Sequence, residues 1–188
     1  MKTHVQNLKV NDAVDKMSKT DMGIHYMVIY KDLETLRKFY SQYAKRQIIE
    51  KNEAVLINPF YETVNAVRYF LYHDMQMNVF ELEREEALLI IDAIESYFGP
   101  EPDREFKEKT AKHVKELGKE GLSIFNDTGV FGYKGMDKEL VDYELSLPRV
   151  FGAPLKRFCL FHQKDFDRLS YEQKTKVIEH HGMTIKIE

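Results

Sequence analysis

The chain has 188 residues, 43% of them hydrophobic and 31% charged, a balance that suits one soluble globular domain with a substantial core. A net charge of −3 excludes an overall basic footprint for nucleic acid, and the single cysteine excludes an internal disulfide. No apolar stretch approaches the roughly 20 residues that span a bilayer, and the start of the chain lacks an apolar signal core, so the expected home is the cytoplasm.

Residues 1–22 are polar and mixed. Val5, Leu8, Val10, Val14 and Met17 could form a short helix, and the stretch reads as an N-terminal arm packing partly on a domain of residues 23–188. The run Tyr26-Met27-Val28-Ile29-Tyr30 predicts a strand, and Lys31-Asp32 breaks it. From Leu33 the apolar period becomes helical, through Leu36, Phe39 or Tyr40, Tyr43 or Ala44, and Ile48. Asp32 is the natural N-cap of this helix. Ala54-Val55-Leu56-Ile57 follows as a second strand, ending at Asn58-Pro59, and completes a βαβ unit. The turn between the first strand and helix has no glycine and no Gly-Lys-Ser/Thr, so it offers no phosphate cradle.

A helix with Val64, Val67, Phe70 and Leu71 on one face ends near His73-Asp74. Leu88-Leu89-Ile90-Ile91-Asp92 reads as a buried, central parallel strand, although with Ala93-Ile94-Glu95 it could also be helical. Gly99-Pro100-Glu101-Pro102 is the clearest break and reads as a loop. A charged helix over 103–119 turns Phe106, Ala111, Val114 and Leu117 inward. Leu122 to Phe125 is the fourth strand, and Asn126-Asp127 ends it. Residues 128–135, with Gly129, Gly132 and Gly135, predict a mobile or ligand-facing loop. A helix over 136–147, a strand over 156–162, a helix over 165–180 with a break near Leu169-Ser170, and a last strand over 184–187 follow. This alternation argues for about six strands in a mostly parallel sheet with helices on both faces.

In such a sheet ligands bind beyond the carboxyl ends of the strands. Those ends present Tyr30-Lys31-Asp32, Asn58 and Phe60, Asp92, Asn126-Asp127 and His162. Leu88–Asp92 and Leu122–Asp127 each place an acid after an apolar run, as a magnesium-holding strand does, but any buried strand ending in Asp matches. The seven histidines do not fall at metal-ligand spacings. His180 and His181 are adjacent and point about 100° apart on a helix, and they read as a surface pair. No metal and no cofactor is expected. Cys159, within Phe158-Cys159-Leu160-Phe161, reads as a buried inert thiol.

With these residues placed, the chain resembles the MEDS family, the sensory domain of methanogens and methylotrophs first recognised in a dichloromethane-responsive repressor. Gly23-Ile24-His25 resembles its Gly-x-His entry to the first strand, and Tyr30-Lys31-Asp32 its Tyr-x-Asp turn. Leu89 to Ala93 with Tyr97, Tyr143-Glu144, and Phe158 to His162 with Phe166 are similar to its later motifs. His180-His181 falls where the family has His-Pro. The resemblance implies a three-layer RecA-like, KaiC-related α/β fold with a degenerate phosphate loop, used to sense a ligand beside a kinase or DNA-binding partner.

The expected function is therefore that of a stand-alone, non-enzymatic sensory domain. It would bind a small molecule, with no membrane and no direct nucleic-acid contact, and signal through a regulatory protein partner or as a homodimer. Tyr30, Phe60, Phe131 and Tyr133 are the candidate apolar walls of the site. Asp32, Asn58, Asp127 and His162 are its polar groups, with Glu144 closing the rim. The rivals are a divergent nucleotide hydrolase using Asp92 or Asp127, and an interaction module without a small ligand.

Overall fold

The computed structural model describes residues 5–188. The chain runs β1 (Gln6–Leu8), α1 (Val10–Met17), β2 (His25–Tyr30), α2 (Leu33–Lys51), β3 (Ala54–Asn58), α3 (Val64–His73), α4 (Val79–Arg84), β4 (Leu88–Ile90), α5 (Ala93–Phe98) and α6 (Asp103–Glu116). It continues through β5 (Leu122–Asp127), α7 (Gly129–Tyr133), α8 (Asp137–Ser146), β6 (Leu155–His162), α9 (Gln163–Arg168), α10 (Tyr171–His180) and β7 (Met183–Ile187). The strands form one sheet in the order β1-β7-β2-β6-β5-β3-β4, and every pairing is parallel. With helices on both faces, this is consistent with a three-layer RecA-like α/β fold. No helix among the described residues is long and apolar enough to cross a membrane.

The period-2 geometry of the strands divides the core. Tyr26, Val28 and Tyr30 of β2 and Phe158 and Leu160 of β6 face α1 to α4, where they meet Val14, Phe39, Tyr40, Tyr43 and Val67. Met27, Ile29, Cys159 and Phe161 face the other layer, with Val130, Leu140, Val141 and Val177. Because both faces of β2, β3 and β5 are covered, every residue of these strands is buried. Asp32 caps α2 as its position predicts, accepting from the Thr35 amide at 2.8 Å, and α2 ends at Asn52 in the left-handed region, φ 52°. Ser170 and Gln173 form a capping box that starts α10, which accounts for the break after Leu169.

Several expectations change. The N-terminal arm contributes a seventh strand, β1, which pairs with β7, while α1 packs on α2 through Ala13, Val14 and Met17. Residues 1–4 of that arm lie outside the described residues. The strand at Leu88 is three residues long and sits at the sheet edge, not at its centre; Asp92 instead caps α5 by accepting from the Ile94 amide. Residues 129–133 form the helix α7, not a loop. Gly129 lets the rings pack closely there: a Cβ would stand 2.4 Å from Tyr61 Cε2 and 2.7 Å from Phe60 Cδ1, so both would have to move. Leu117 does not point inward; it is 48% exposed, and α6 buries Asp103 and Lys107 instead.

Phe158 is the hub of the larger core. Its ring stacks on Phe125 at 4.9 Å and on Tyr26 at 5.4 Å, and meets Tyr43 edge-on at 5.1 Å. Phe158→Ala should cost about 3–5 kcal/mol in urea unfolding. Tyr171→Ala, at a ring 87% exposed, should change stability by less than about 0.5 kcal/mol.

Candidate functional site

The register of the ladders decides what meets at the carboxyl edge. Tyr30 lies opposite His162, and Asp127 lies opposite Leu160. The Tyr30 hydroxyl donates to Asp127 Oδ2 at 2.9 Å, and the Gly129 amide donates to Asp127 Oδ1 at 2.9 Å. The Tyr30 ring meets His162 edge-on at 5.2 Å. Tyr61 covers this group: its ring lies 5.2 Å from His162, and its hydroxyl donates to Asp165 Oδ2. Phe60 bridges Tyr61 and Tyr133, at 5.1 and 5.8 Å between ring centroids. Arg168 holds Asp165 at 3.4 Å and Asp137 at 3.0 Å.

Asp127 is fully enclosed, and burial pushes its carboxyl up to about 7; the Gly129 amide and Tyr30 hydroxyl offset only part of that. The Tyr30 and Tyr61 hydroxyls are both raised, by burial first and then by the neighbouring Asp127 and Asp165 carboxyls. Near neutral pH the pair is thus a phenol donating to a carboxyl poised between its neutral and charged forms.

Outside this closed group lies an open cavity of about 420 Å³, beyond the carboxyl ends of β3 and β4. Phe60, Tyr61, Thr63, Asn65, Arg68 and Asp92 line it. Its size falls in the range of small-ligand pockets. Arg68 is anchored there by Glu83 at 2.8 Å.

Of the residues proposed from the sequence, Tyr30, Phe60, Asp127, Tyr133 and His162 come together. Asn58 is buried nearby and donates to the Ile91 carbonyl at 3.0 Å, with its own Oδ1 unpartnered. Asp32 is committed to capping α2. Phe131 is buried against Tyr97 and Tyr143, away from solvent, whereas Tyr133 is 80% exposed. Sequence reasoning missed Tyr61, Thr63, Asn65 and Arg68. The signal available was the aromatic pair directly after the strand end at Asn58-Pro59.

Glu144 is not at this rim. It stands in the layer under α8, where its Oε2 lies 3.2 Å from His25 Nε2 and 3.4 Å from His181 Nε2. His25 begins β2, at the strand end opposite Tyr30. Cys159 Sγ completes the group, 2.9 Å from His25 Nε2. His181 is therefore buried, not part of a surface pair, because the end of α10 docks against the start of β2: the Gly182 amide donates to the His25 carbonyl at 2.8 Å. Burial, followed by the adjacent His181, lowers the His25 imidazole to about 3, so it is neutral. His25, Glu144, Cys159 and His181 are the side chains suited to holding a metal ion among the described residues.

Beside them runs a buried ionic chain. Arg157 Nη1 donates to Asp103 Oδ2 at 2.8 Å, Lys107 and Tyr143 also bind Asp103, and Ser96 donates to Asp103 Oδ1 at 2.9 Å. Comparison of the chain with protein-family models and with curated protein sequences finds no match.

The Asp127 carboxyl yields a pH test. Its folded value lies above the unfolded value of about 3.9, so between those values the folded state binds more protons than the unfolded one. Stability should fall as pH rises from about 4 to about 7, then level off. Asp127→Asn, which keeps a neutral side chain of the same shape, should lack that component. Urea midpoints of both proteins across this range check it.

Proposed function

We propose that the chain is a non-enzymatic sensory module, similar to the MEDS domains, that binds a small molecule at the carboxyl edge of its sheet and acts through a protein partner. The observation that carries this reading is the cavity of about 420 Å³ between Phe60, Tyr61, Arg68 and Asp92. It combines apolar walls with a few polar groups, as small-ligand sites do.

The helix α3 gives the site a route outward. Asn65 and Arg68 line the ligand cavity, while Arg68, Tyr69, Tyr72 and His73 line a second hollow with Phe80 of α4. Tyr69, Tyr72 and Phe80 are exposed, an aromatic surface of the kind that protein partners cover. A ligand that displaces Arg68 from Glu83 would loosen α3 from α4 and change that surface.

Nucleotide hydrolysis is less well supported. The chain passes from β2 to α2 through Lys31 and Asp32 alone, and the Asp32 carboxylate fills the helix N-terminus where phosphate oxygens would sit. Asp127, in the position of a magnesium-holding acid, is instead engaged by Tyr30 and Gly129.

A small-molecule screen followed by amide chemical-shift mapping tests the proposal. Hits should shift Phe60, Tyr61, Asn65 and Arg68 first, with a second set at Tyr69, Tyr72 and Phe80. Shifts confined to the amino-terminal edge of the sheet, or ATP turnover by pure protein that Asp127→Ala abolishes, would overturn it.

A further inference from the structure

We propose that His25, Glu144, Cys159 and His181 form a closed, four-ligand site for a divalent transition metal of the zinc class. Four separate elements deliver these groups: the first residue of β2, the helix α8, the middle of β6 and the residue after α10. One ligand atom from each lies within 4.8 Å of all the others, and all four residues are buried.

The spacing matches a tetrahedral shell. Ligands about 2.0–2.3 Å from a zinc ion stand roughly 3.3–3.6 Å from one another. Two of the observed edges, 3.2 Å and 3.4 Å from Glu144 to the two imidazoles, already have that length. The His25–Cys159 approach at 2.9 Å is shorter and would open by about half an ångström around an ion.

The hydrogen bonding points the same way. The Nδ1 of His181 lies 2.7 Å from the Val177 carbonyl, an acceptor only, so Nδ1 carries the proton. In the neutral imidazole Nε2 then presents a lone pair to the carboxylate of Glu144, and two acceptors face each other at 3.4 Å. His181 Nε2 and both oxygens of Glu144 have no hydrogen-bond partner. Buried acceptors left this way cost free energy. A divalent cation between His181 Nε2 and a Glu144 oxygen removes that conflict, and the Nδ1–carbonyl bond of His181 is the outer support that metal-binding histidines commonly have.

The donor set narrows the metal. Two imidazoles, a carboxylate and a thiolate suit zinc and its first-row neighbours, not calcium or magnesium. Two anionic and two neutral ligands balance a charge of +2 inside the protein. With all four positions supplied by the chain and none open to water, the ion would pin α8 and α10 to β2 and β6, a structural role. This site stands on observations separate from the carboxyl-edge cavity.

The test is refolding of the full chain from urea with a slight excess of zinc chloride, then removal of free metal and elemental analysis. About one zinc per chain is expected, together with a raised melting temperature. Refolding with cobalt(II) should give a thiolate-to-cobalt absorption band. In Cys159→Ser that band should vanish and zinc retention should fall at least tenfold. Should Cys159→Ser fail to fold, the cobalt band of the wild-type chain and its loss on adding excess zinc carry the test alone. Wild-type protein that keeps under about a tenth of an equivalent of zinc and shows no cobalt band overturns the proposal. Equal zinc retention by wild type and a folded Cys159→Ser overturns it as well.

Discussion

The parallel ladder between β2 and β6 is the constraint on which the rest of the molecule depends. It runs in unbroken register from His25 opposite Arg157 to Tyr30 opposite His162. A slip of one residue would turn every side chain to the wrong face. Tyr26, Val28 and Phe158 would leave the aromatic core under α2, and His25 and Cys159 would leave the layer under α8. The same register also places Tyr30 beside His162, within reach of Asp127. One pairing thus sets the core and both ends of the strands.

The two faces of this ladder carry different chemistry. Toward α1 to α4 the contacts are mostly aromatic and aliphatic, with a few paired polar groups among them. Lys156 meets Glu53 at 3.0 Å, and Ser123 links Glu53 to Tyr43. Toward α6 and α8 a buried charged chain lies between two apolar clusters. Arg157, Lys107 and Tyr143 converge on Asp103 there, and Asp103 is held low because Arg157 and Lys107 outweigh its burial. Burying such a chain instead of apolar residues gives weak net stability, since desolvation offsets most of the Coulomb gain. What it does is restrict how α5, α6 and α8 dock, because removing one partner strands the other charges.

Much of the fold was legible in the sequence because its signals were local. The apolar runs at Tyr26, Ala54, Leu122 and Phe158, the Asp32 cap and the break before Ser170 each lie within a few residues. The strand ends told which residues would reach the carboxyl edge, so Tyr30, Asp127 and His162 could be grouped. The failures have a common physical cause. Gly129 and Gly132 suggested a loop, yet Gly129 serves close packing under Tyr61, a contact 68 residues distant in sequence. Leu88 to Asp92 was apolar enough for a central strand, but strand order depends on crossovers that no local pattern encodes. His25 and Cys159 meet across 134 residues. Neither His180-His181 nor the single cysteine showed the short spacing by which metal ligands are usually recognised.

The two ends of β2 also differ in what covers them. At the amino end, His25, Glu144, Cys159 and His181 are drawn from four elements and sealed from water, and nothing can shift there without opening the core. At the carboxyl end, Tyr61 lies over the group around Tyr30 and Asp127, held by a hydrogen bond to Asp165 and by ring contacts with Phe60 and His162. Tyr61 also lines the outer cavity, so one ring borders both that cavity and the group around Tyr30 and His162. The two ends of β2 thus differ in how they are enclosed, and in parallel α/β sheets generally it is the carboxyl end, where helix N-termini converge, that meets ligands.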